Sequence, residues 1–300
     1  MNVCVLMAVY NGEQWLKEQI ESVLNQTNVS LDIYISLDVS SDSSLEIVNE
    51  YVDKYSNVFL LPLEERYGSA GQNFFRLLRD VDFDRYDYVS FSDQDDIWLE
   101  RKLEKSIEHI VKTDSDAYSG NVTAFWGGGK KVLIKKDYPQ VKFDHLFESS
   151  GPGCTFVLKQ ELALSIKACL LSNSSKINTL WLHDWFCYSF ARSNNYKWFI
   201  GGEPLMLYRQ HENNEVGASS GISSLISRAK IILSGDGLDK VISQSEFLNQ
   251  NDYPIQLINN RNYFGFLKLA CLSMKCRRAW VDKILFFLAI FLLSLKGKKG

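Results

Sequence analysis

The feature that most limits the fold is an alternation in the first third of the chain. Short apolar runs alternate with amphipathic stretches, and each run is followed by a polar loop. Residues 3–9 are apolar throughout, the pattern of a strand buried on both faces. Tyr10-Asn11-Gly12 ends that run, and residues 13–25 then set Trp15, Leu16, Ile20, Val23 and Leu24 on one helical face. The cycle repeats with a strand over 32–37, a polar loop over 38–44, and a helix carrying Leu45, Ile47, Val48, Tyr51 and Val52. A third strand over 58–61 leads to a helix opened by residues 68–71 and carrying Phe74, Phe75, Leu77 and Leu78. A fourth strand over 88–91 runs into Asp93-Gln94-Asp95-Asp96. Such a series predicts an α/β fold, a mostly parallel central sheet flanked by helices. Ligands bind such sheets at the carboxyl ends of the strands. The loops at 10–12, 38–42, 67–73 and 93–96 all fall at that edge.

The middle of the chain is less regular. Trp126-Gly127-Gly128-Gly129-Lys130 reads as a turn. Gly151-Pro152-Gly153 precedes an expected strand over 154–158, residues 183–193 read as a helix, and 203–208 as another strand. Residues 217–224 are rich in Ser and Gly, the composition of a linker. The predicted division is therefore 1–217 for the α/β domain and 218–300 for a helical extension.

Net charge of -3 does not point to nucleic acid as a partner, and the charge is unevenly spread. From Arg261 onward nine basic residues stand against the single acid Asp282, a local excess of about +8. Within this segment residues 284–295 are almost wholly apolar, and too short a run to span a bilayer. Lys275, Arg277 and Arg278 precede that run and Lys296, Lys298 and Lys299 follow it. An apolar helix between basic clusters fits an interfacial helix on an anionic membrane. A helix packed on the catalytic domain or on a second subunit has the same pattern, so an oligomer stays open. The six cysteines form no CxxC pair and no zinc spacing, and the N-terminus lacks a basic leader. Both features predict a reduced, cytoplasmic protein, and the C-terminal segment predicts that it is peripheral on the inner face of the membrane.

Three carboxylates within 93–96 repel one another unless a cation neutralises them. Oxygen ligands of this kind suit Mn²⁺ or Mg²⁺, and such an ion can bridge a diphosphate. The alternative is a solvated turn in which Asp96 caps the next helix. Asp42 or Ser43 is expected to cap the helix that follows the second loop. Asp38 lies too early to cap, and a carboxylate there can accept the imide N–H of uracil or thymine. No Gly-x-Gly-x-x-Gly follows the first strand and no Gly-x-x-x-x-Gly-Lys-Ser/Thr occurs, which counts against the dinucleotide-dependent dehydrogenase and P-loop classes.

Ala8-Val9-Tyr10-Asn11-Gly12, Ser36-Leu37-Asp38-Val39-Ser40-Ser41-Asp42 and Asp93-Gln94-Asp95-Asp96-Ile97-Trp98 together resemble glycosyltransferase family 2, with the GT-A fold. The last wording is similar to bacterial rhamnosyltransferase-like members that build surface polysaccharides. The resemblance continues through Gly151 and Val157, His183-Asp184-Trp185 and Tyr208-Arg209-Gln210-His211, and covers about 1–217. Two positions depart from the family wording. The usual Pro-Thr-Tyr-Asn is Ala8-Val9-Tyr10-Asn11 here, and the usual Asp-Asp-Gly-Ser is Leu37-Asp38-Val39-Ser40, which loses one acid and the turn glycine.

The resemblance implies an inverting glycosyltransferase. Its donor would be a nucleotide sugar, dTDP-rhamnose or a UDP-hexose, and its acceptor a lipid-linked oligosaccharide or other glycan of the bacterial surface. It implies Asp184 as the general base, which takes the proton of the acceptor hydroxyl. It implies donor contacts at Val9, Tyr10, Asn11, Asp38, Asn73, Asp93, Gln94 and Arg209, and metal contacts at Asp95 and His211. His183 reads as a structural neighbour of Asp184, for which a helix N-cap is the competing role. A nucleotidyltransferase also uses carboxylate-bound metal on a similar sheet. It usually needs a Gly- and Lys-rich first loop, which Tyr10-Asn11-Gly12-Glu13 is not. A non-catalytic nucleotide-sugar binder would be favoured by loss of Asp184 or of the Asp93/Asp95 pair, and all three are present.

Overall fold

A computed structural model describes residues 1–63, 66–211 and 236–296. The chain divides into two compact units. The first contains Met1–Asp137, Ser150–Asn178 and the described residues of Leu182–Ala218. The second contains Tyr138–Ser149, Thr179–Trp181 and the described residues of Ser219–Gly300. The stretch 217–224, read above as a linker, lies outside the described residues.

The first unit is built on a seven-stranded sheet. Strand β1 (Asn2–Val9) lies inside this sheet, and every residue of it after Asn2 is buried. Strands β2 (Ser30–Leu37) and β4 (Tyr88–Ser92) pair with it in parallel on either side, and β3 (Val58–Leu60) extends β2 in parallel. Between them run α1 (Leu16–Leu24), α2 (Ser44–Lys54) and α3 (Ala70–Asp80). Helix α3 begins where Ser69 Oγ accepts a hydrogen bond from Gln72 N–H at 3.2 Å, and it buries Phe74, Phe75, Leu77 and Leu78. At α2 the N-cap position is Ser43, whose side chain makes no capping bond; Asp42, one residue earlier, instead accepts from Ser44 N–H through Oδ1 at 3.0 Å.

Beyond β4 the sheet departs from the simple repeat. β6 (Ala117–Gly120) and β10 (Trp198–Gly201) pair in parallel, while β9 (Val157–Lys159) runs antiparallel to both β4 and β6. The strand expected over 154–158 starts later than its apolar pattern suggested. Gly153–Thr155 is a 3-10 turn, closed by Phe156 N–H donating to Gly153 O at 2.8 Å and by the Thr155 hydroxyl donating to Pro152 O at 2.7 Å. A second sheet, β5-β11-β7-β8, comprises β5 (Ile97–Trp98), β11 (Met206–Arg209), β7 (Val122–Phe125) and β8 (Lys131–Ile134). Residues 126–130 form the turn between β7 and β8, as their glycines predict. Helices α4 (Lys102–Thr113), α5 (Gln160–Ser172) and α6 (His183–Ser193) complete the unit.

The second unit is helical: α7 (Asp236–Phe247), α8 (Tyr253–Asn259), α9 (Tyr263–Cys271), α10 (Ser273–Cys276) and α11 (Trp280–Lys296). Ion pairs tie it to residues 138–149, which sequence reading assigns to the α/β domain. Arg278, almost wholly buried, lies 3.6 Å from Asp144 and 3.4 Å from Glu148. Arg277 lies 3.5 Å from Glu148 and 3.7 Å from Asp282. Two of the basic residues expected to face a membrane are thus paired with acids of the protein, Arg278 in its interior. Lys268 and Lys275 are exposed.

Candidate active site

Four loops meet at the carboxyl ends of β1, β2 and β4, and specific hydrogen bonds join them. Gln94 is the strut between the acidic turn and the loop after β1. Its Oε1 accepts from Tyr10 N–H at 2.7 Å and its Nε2 donates to Tyr10 O at 2.8 Å. Gly12 allows this approach, because a Cβ there would stand 2.6 Å from Gln94 Oε1. Asn11, in the left-handed region at φ 46°, joins the first loop to the second. Its N–H donates to Ser40 Oγ at 3.0 Å, and its Oδ1 accepts from Ser41 N–H at 2.8 Å. The second loop therefore docks through hydroxyl and backbone groups without the glycine it lacks. Tyr10 presents an exposed ring, with the Arg66 guanidinium 5.6 Å from its centre.

Asp38 is buried, and its carboxylate organises the third loop. Oδ1 accepts from Val39 N–H at 2.8 Å and Tyr67 N–H at 2.9 Å, and Oδ2 from Gly68 N–H at 2.9 Å. Gly68 has φ +84°, a conformation that favours glycine. Asn73 is also buried, and its Nδ2 donates to Ser36 O at 2.9 Å and Val9 O at 3.3 Å, tying the ends of β2 and β1 together. The Val9 side chain is in the core. At these positions the structure displays scaffolding rather than open donor groups.

In the acidic turn the carboxylates divide by environment. Asp96 is completely buried and caps no helix, since β5 follows it directly. Its Oδ1 accepts from Arg209 N–H at 2.9 Å, so it latches β11 to the motif. Burial, then the charges of Asp95 and Asp93, push its carboxyl well above the usual range. Cys154 hydrogen-bonds to it, and burial pushes that thiol up as well. Donor atoms of Asp93, Asp96 and Cys154 lie within 4.8 Å of one another. Beneath them Lys102 is fully buried, its Nζ 3.3 Å from the Trp98 ring centre, and burial pushes its pKa down to about 7.

Asp95 points elsewhere. Its Oδ2 lies 2.6 Å from His211 Nε2, and both side chains keep a little solvent exposure. Arg209, expected to meet phosphate, is engaged as a strut. Its Nε donates to Asp95 O at 2.7 Å and its Nη2 pairs with Glu18. The imidazole of His211 stacks on Trp15 with ring centres 4.1 Å apart.

Asp184 is the second residue of α6, with Leu182 at the N-cap, so it does not cap that helix. Its Oδ1 accepts from Trp185 N–H at 2.6 Å. The preceding His183 is buried and stacked on Phe74 at 3.9 Å, and burial alone lowers its pKa to about 3, leaving the ring neutral. A Cβ at Gly153 would meet His183 Nε2 at 2.4 Å and Asp184 Cβ at 3.2 Å. The missing side chain at Gly153 therefore lets the start of α6 pack on the turn before β9. Sequence reasoning missed the parts played by Trp15, Glu18, Cys154 and Lys102. Only Gly153, beside a proline and a second glycine, carried a local signal.

Residues 4–171 match the family model described as glycosyl transferase family 2. The dTDP-rhamnosyl transferase RfbG of Shigella flexneri is 40% identical over 290 residues, which are 95% of this chain and 99% of that protein. The UDP-Glc:alpha-D-GlcNAc-diphosphoundecaprenol beta-1,3-glucosyltransferase WfgD of Escherichia coli is 31% identical over 53% of this chain and 61% of its own. Among solved structures, S. aureus TarS 1-349 in complex with UDP-GlcNAc matches with TM-score 0.56 at 16% identity, over 100% of this chain and 92% of that one. A mannosyltransferase from Pyrobaculum calidifontis in complex with GDP-Man and Mn2+ matches with TM-score 0.51 at 14% identity, over 98% and 86%.

Proposed function

The chain belongs to glycosyl transferase family 2, and from that premise we propose that it is an inverting, metal-assisted sugar transferase acting on a bacterial surface glycan. Its donor is a nucleoside diphosphate sugar, dTDP-rhamnose before a UDP-hexose, because the relative that matches almost end to end is a dTDP-rhamnosyl transferase. One observation carries the reading. Gln94 joins the acidic turn to the Tyr10 loop, so the groups suited to a nucleoside and those suited to a diphosphate belong to one hydrogen-bonded edge.

In this reading Tyr10, Asn11 and Asp38 frame the nucleoside, and Asp93 lies on the ribose and sugar side. The close pairing of a carboxylate oxygen and an imidazole nitrogen in Asp95 and His211 fits a divalent ion such as Mn²⁺ or Mg²⁺. The ion would neutralise charge on the departing diphosphate. The buried trio of Asp93, Asp96 and Cys154 suits it less, since two of its three members are sealed from solvent and hold each other. Asp184 accepts the acceptor hydroxyl proton as that oxygen attacks the anomeric carbon opposite the diphosphate. His183, neutral and buried, does not compete for that proton.

A panel of nucleotide sugars tests the reading, incubated with the chain, Mn²⁺ and a lipid-linked glycan acceptor. Transfer from dTDP-rhamnose with release of dTDP is the expected result. Release of sugar 1-phosphate, from attack at the α-phosphate of the donor, would move the protein to nucleotidyl transfer, and binding without turnover would make it a sugar-nucleotide binder.

The acceptor side of the proposal is a lipid-linked oligosaccharide met at the inner face of the cytoplasmic membrane. No helix among the described residues is long and apolar enough to cross a bilayer. Helix α11, however, turns Trp280, Val281, Ile284, Phe287, Leu288, Leu292 and Leu295 outward, each 38% to 63% exposed. It buries Phe286, Ala289, Ile290 and Ser294 on its other face. A helix in water shows the reverse polarity, and a bilayer interface accommodates this one. With Leu288→Glu and Leu292→Glu together, the full chain should stop floating with anionic vesicles while donor binding persists. Equal flotation of the variant would remove α11 as the anchor. Conversion of a dimer to a monomer without any vesicle binding would assign the face to a second copy.

A further inference from the structure

The first turn of α1 and the end of β11 are matched in spacing. Trp15 and Glu18 stand three residues apart, which puts them on one face of the helix start. Gln210 N–H donates to Phe125 O at 2.9 Å, so the ladder of β11 with β7 continues one residue past Arg209. In extended chain, side chains two residues apart face the same side, and here these are Arg209 and His211. Each meets its counterpart: Glu18 pairs with Arg209, and Trp15 stacks on His211 at 4.1 Å with 22° between the rings. Arg209 is further enclosed by Phe125, whose ring centre is 4.6 Å from the guanidinium, and by Trp15 at 5.8 Å.

We infer that Trp15 and Glu18 are positioning residues, which hold the end of β11 so that His211 Nε2 stays aimed at the Asp95 carboxylate. The inference rests on the reading of Asp95 and His211 as the divalent-ion pair. Arg209 supplies the link between the two partners. The guanidinium that Glu18 restrains also donates to the backbone oxygen of Asp95, so one ion pair fixes the ligand-bearing turn and the ligand-bearing strand end together. A flat indole on the imidazole face restricts rotation of the ring while leaving its edge nitrogens to act in the ring plane. No local motif announces this, since the two halves of the clamp are nearly 200 positions apart.

The test uses the full chain with labelled histidines. In the wild type the His211 ring protons should resonate upfield of those of a free imidazole, because they lie over the indole. Trp15→Ala should abolish that shift. In the presence of dTDP, Trp15→Ala should weaken Mn²⁺ binding about 3- to 10-fold, the range of an aromatic stacking interaction. Trp15→Phe should recover most of it, and Glu18→Gln should weaken Mn²⁺ binding with a smaller change in the His211 signal. Wild-type Mn²⁺ affinity in Trp15→Ala, with the His211 signal moved, would overturn the positioning role. So would an unshifted His211 signal in the wild type. Absence of Mn²⁺ binding in the wild type itself would instead remove the metal reading on which the inference stands, whatever the His211 signal shows.

Discussion

Asp184→Asn should transfer sugar about 10²- to 10⁴-fold more slowly than the wild type while binding donor with unchanged affinity. The substitution keeps size and shape, and an amide oxygen can still accept from Trp185 N–H as Asp184 Oδ1 does. The start of α6 also rests on contacts that the change does not touch. His183 remains stacked on Phe74 and packed against Gly153. What is lost is the capacity to take a proton. A carboxamide cannot act as base at neutral pH, so the acceptor oxygen must attack while still carrying its hydrogen. The loss belongs in kcat for transfer, with little movement in the dissociation constant of the nucleotide sugar measured by calorimetry. Transfer at the wild-type rate would take Asp184 out of the mechanism. Equal loss of donor binding would place it on the donor instead.

How much of this was legible beforehand depends on the range over which each feature is determined. The first four strands and three helices declare themselves locally, because a strand buried on both faces must be apolar at every position and an amphipathic helix must repeat. β6 and β10 escape such reading. Ala117–Gly120 and Trp198–Gly201 are short and mixed, and their pairing depends on Tyr118, whose hydroxyl lies where a Cβ at Gly120 or Gly201 would come within 2.6 or 2.5 Å. That constraint joins residues about 80 positions apart and leaves no period. β9 reads as apolar, but its late start follows from the Pro152 turn, and its antiparallel direction leaves no mark in the pattern.

The site divides in the same way. The positions of Asp38 and Asp93 at strand ends could be read from the sequence. The occupation of Asp38 by the Tyr67 and Gly68 amides could not, because those partners lie about 30 residues away. Asp96 shows the limit most clearly. Sequence treats 93–96 as one acidic cluster, yet burial makes Asp96 a latch on Arg209 and leaves Asp95 to face His211. Residues of one type, one position apart, are separated in role by solvent exposure, a property of the folded chain.

That separation gives the second large effect its sharpest form. Asp95→Ala should bind nucleoside diphosphate in the absence of metal as the wild type does, and should lose the gain that Mn²⁺ confers, about 100-fold or more in affinity. The fold should survive. The backbone oxygen of Asp95 still receives Arg209 Nε, and Asp96 still holds Arg209 N–H. The electrostatics favour the variant in metal-free buffer, since Asp95 is one of the two charges that raise the Asp96 carboxyl. Its removal relieves repulsion around a buried acid, against which stands the loss of the His211 partner. Thermal unfolding separates these terms from ligand binding. Wild-type protein with saturating dTDP should gain stability on adding Mn²⁺, by about 2.7 kcal/mol when the ion is at 100 times its dissociation constant. Asp95→Ala should gain almost none, while its unfolding without metal stays near that of the wild type. A full Mn²⁺-dependent shift in the variant would exclude Asp95 as a ligand and leave Asp93 to be tested in its place. A variant already unfolded without metal would instead make Asp95 part of the scaffold, as Asp96 is.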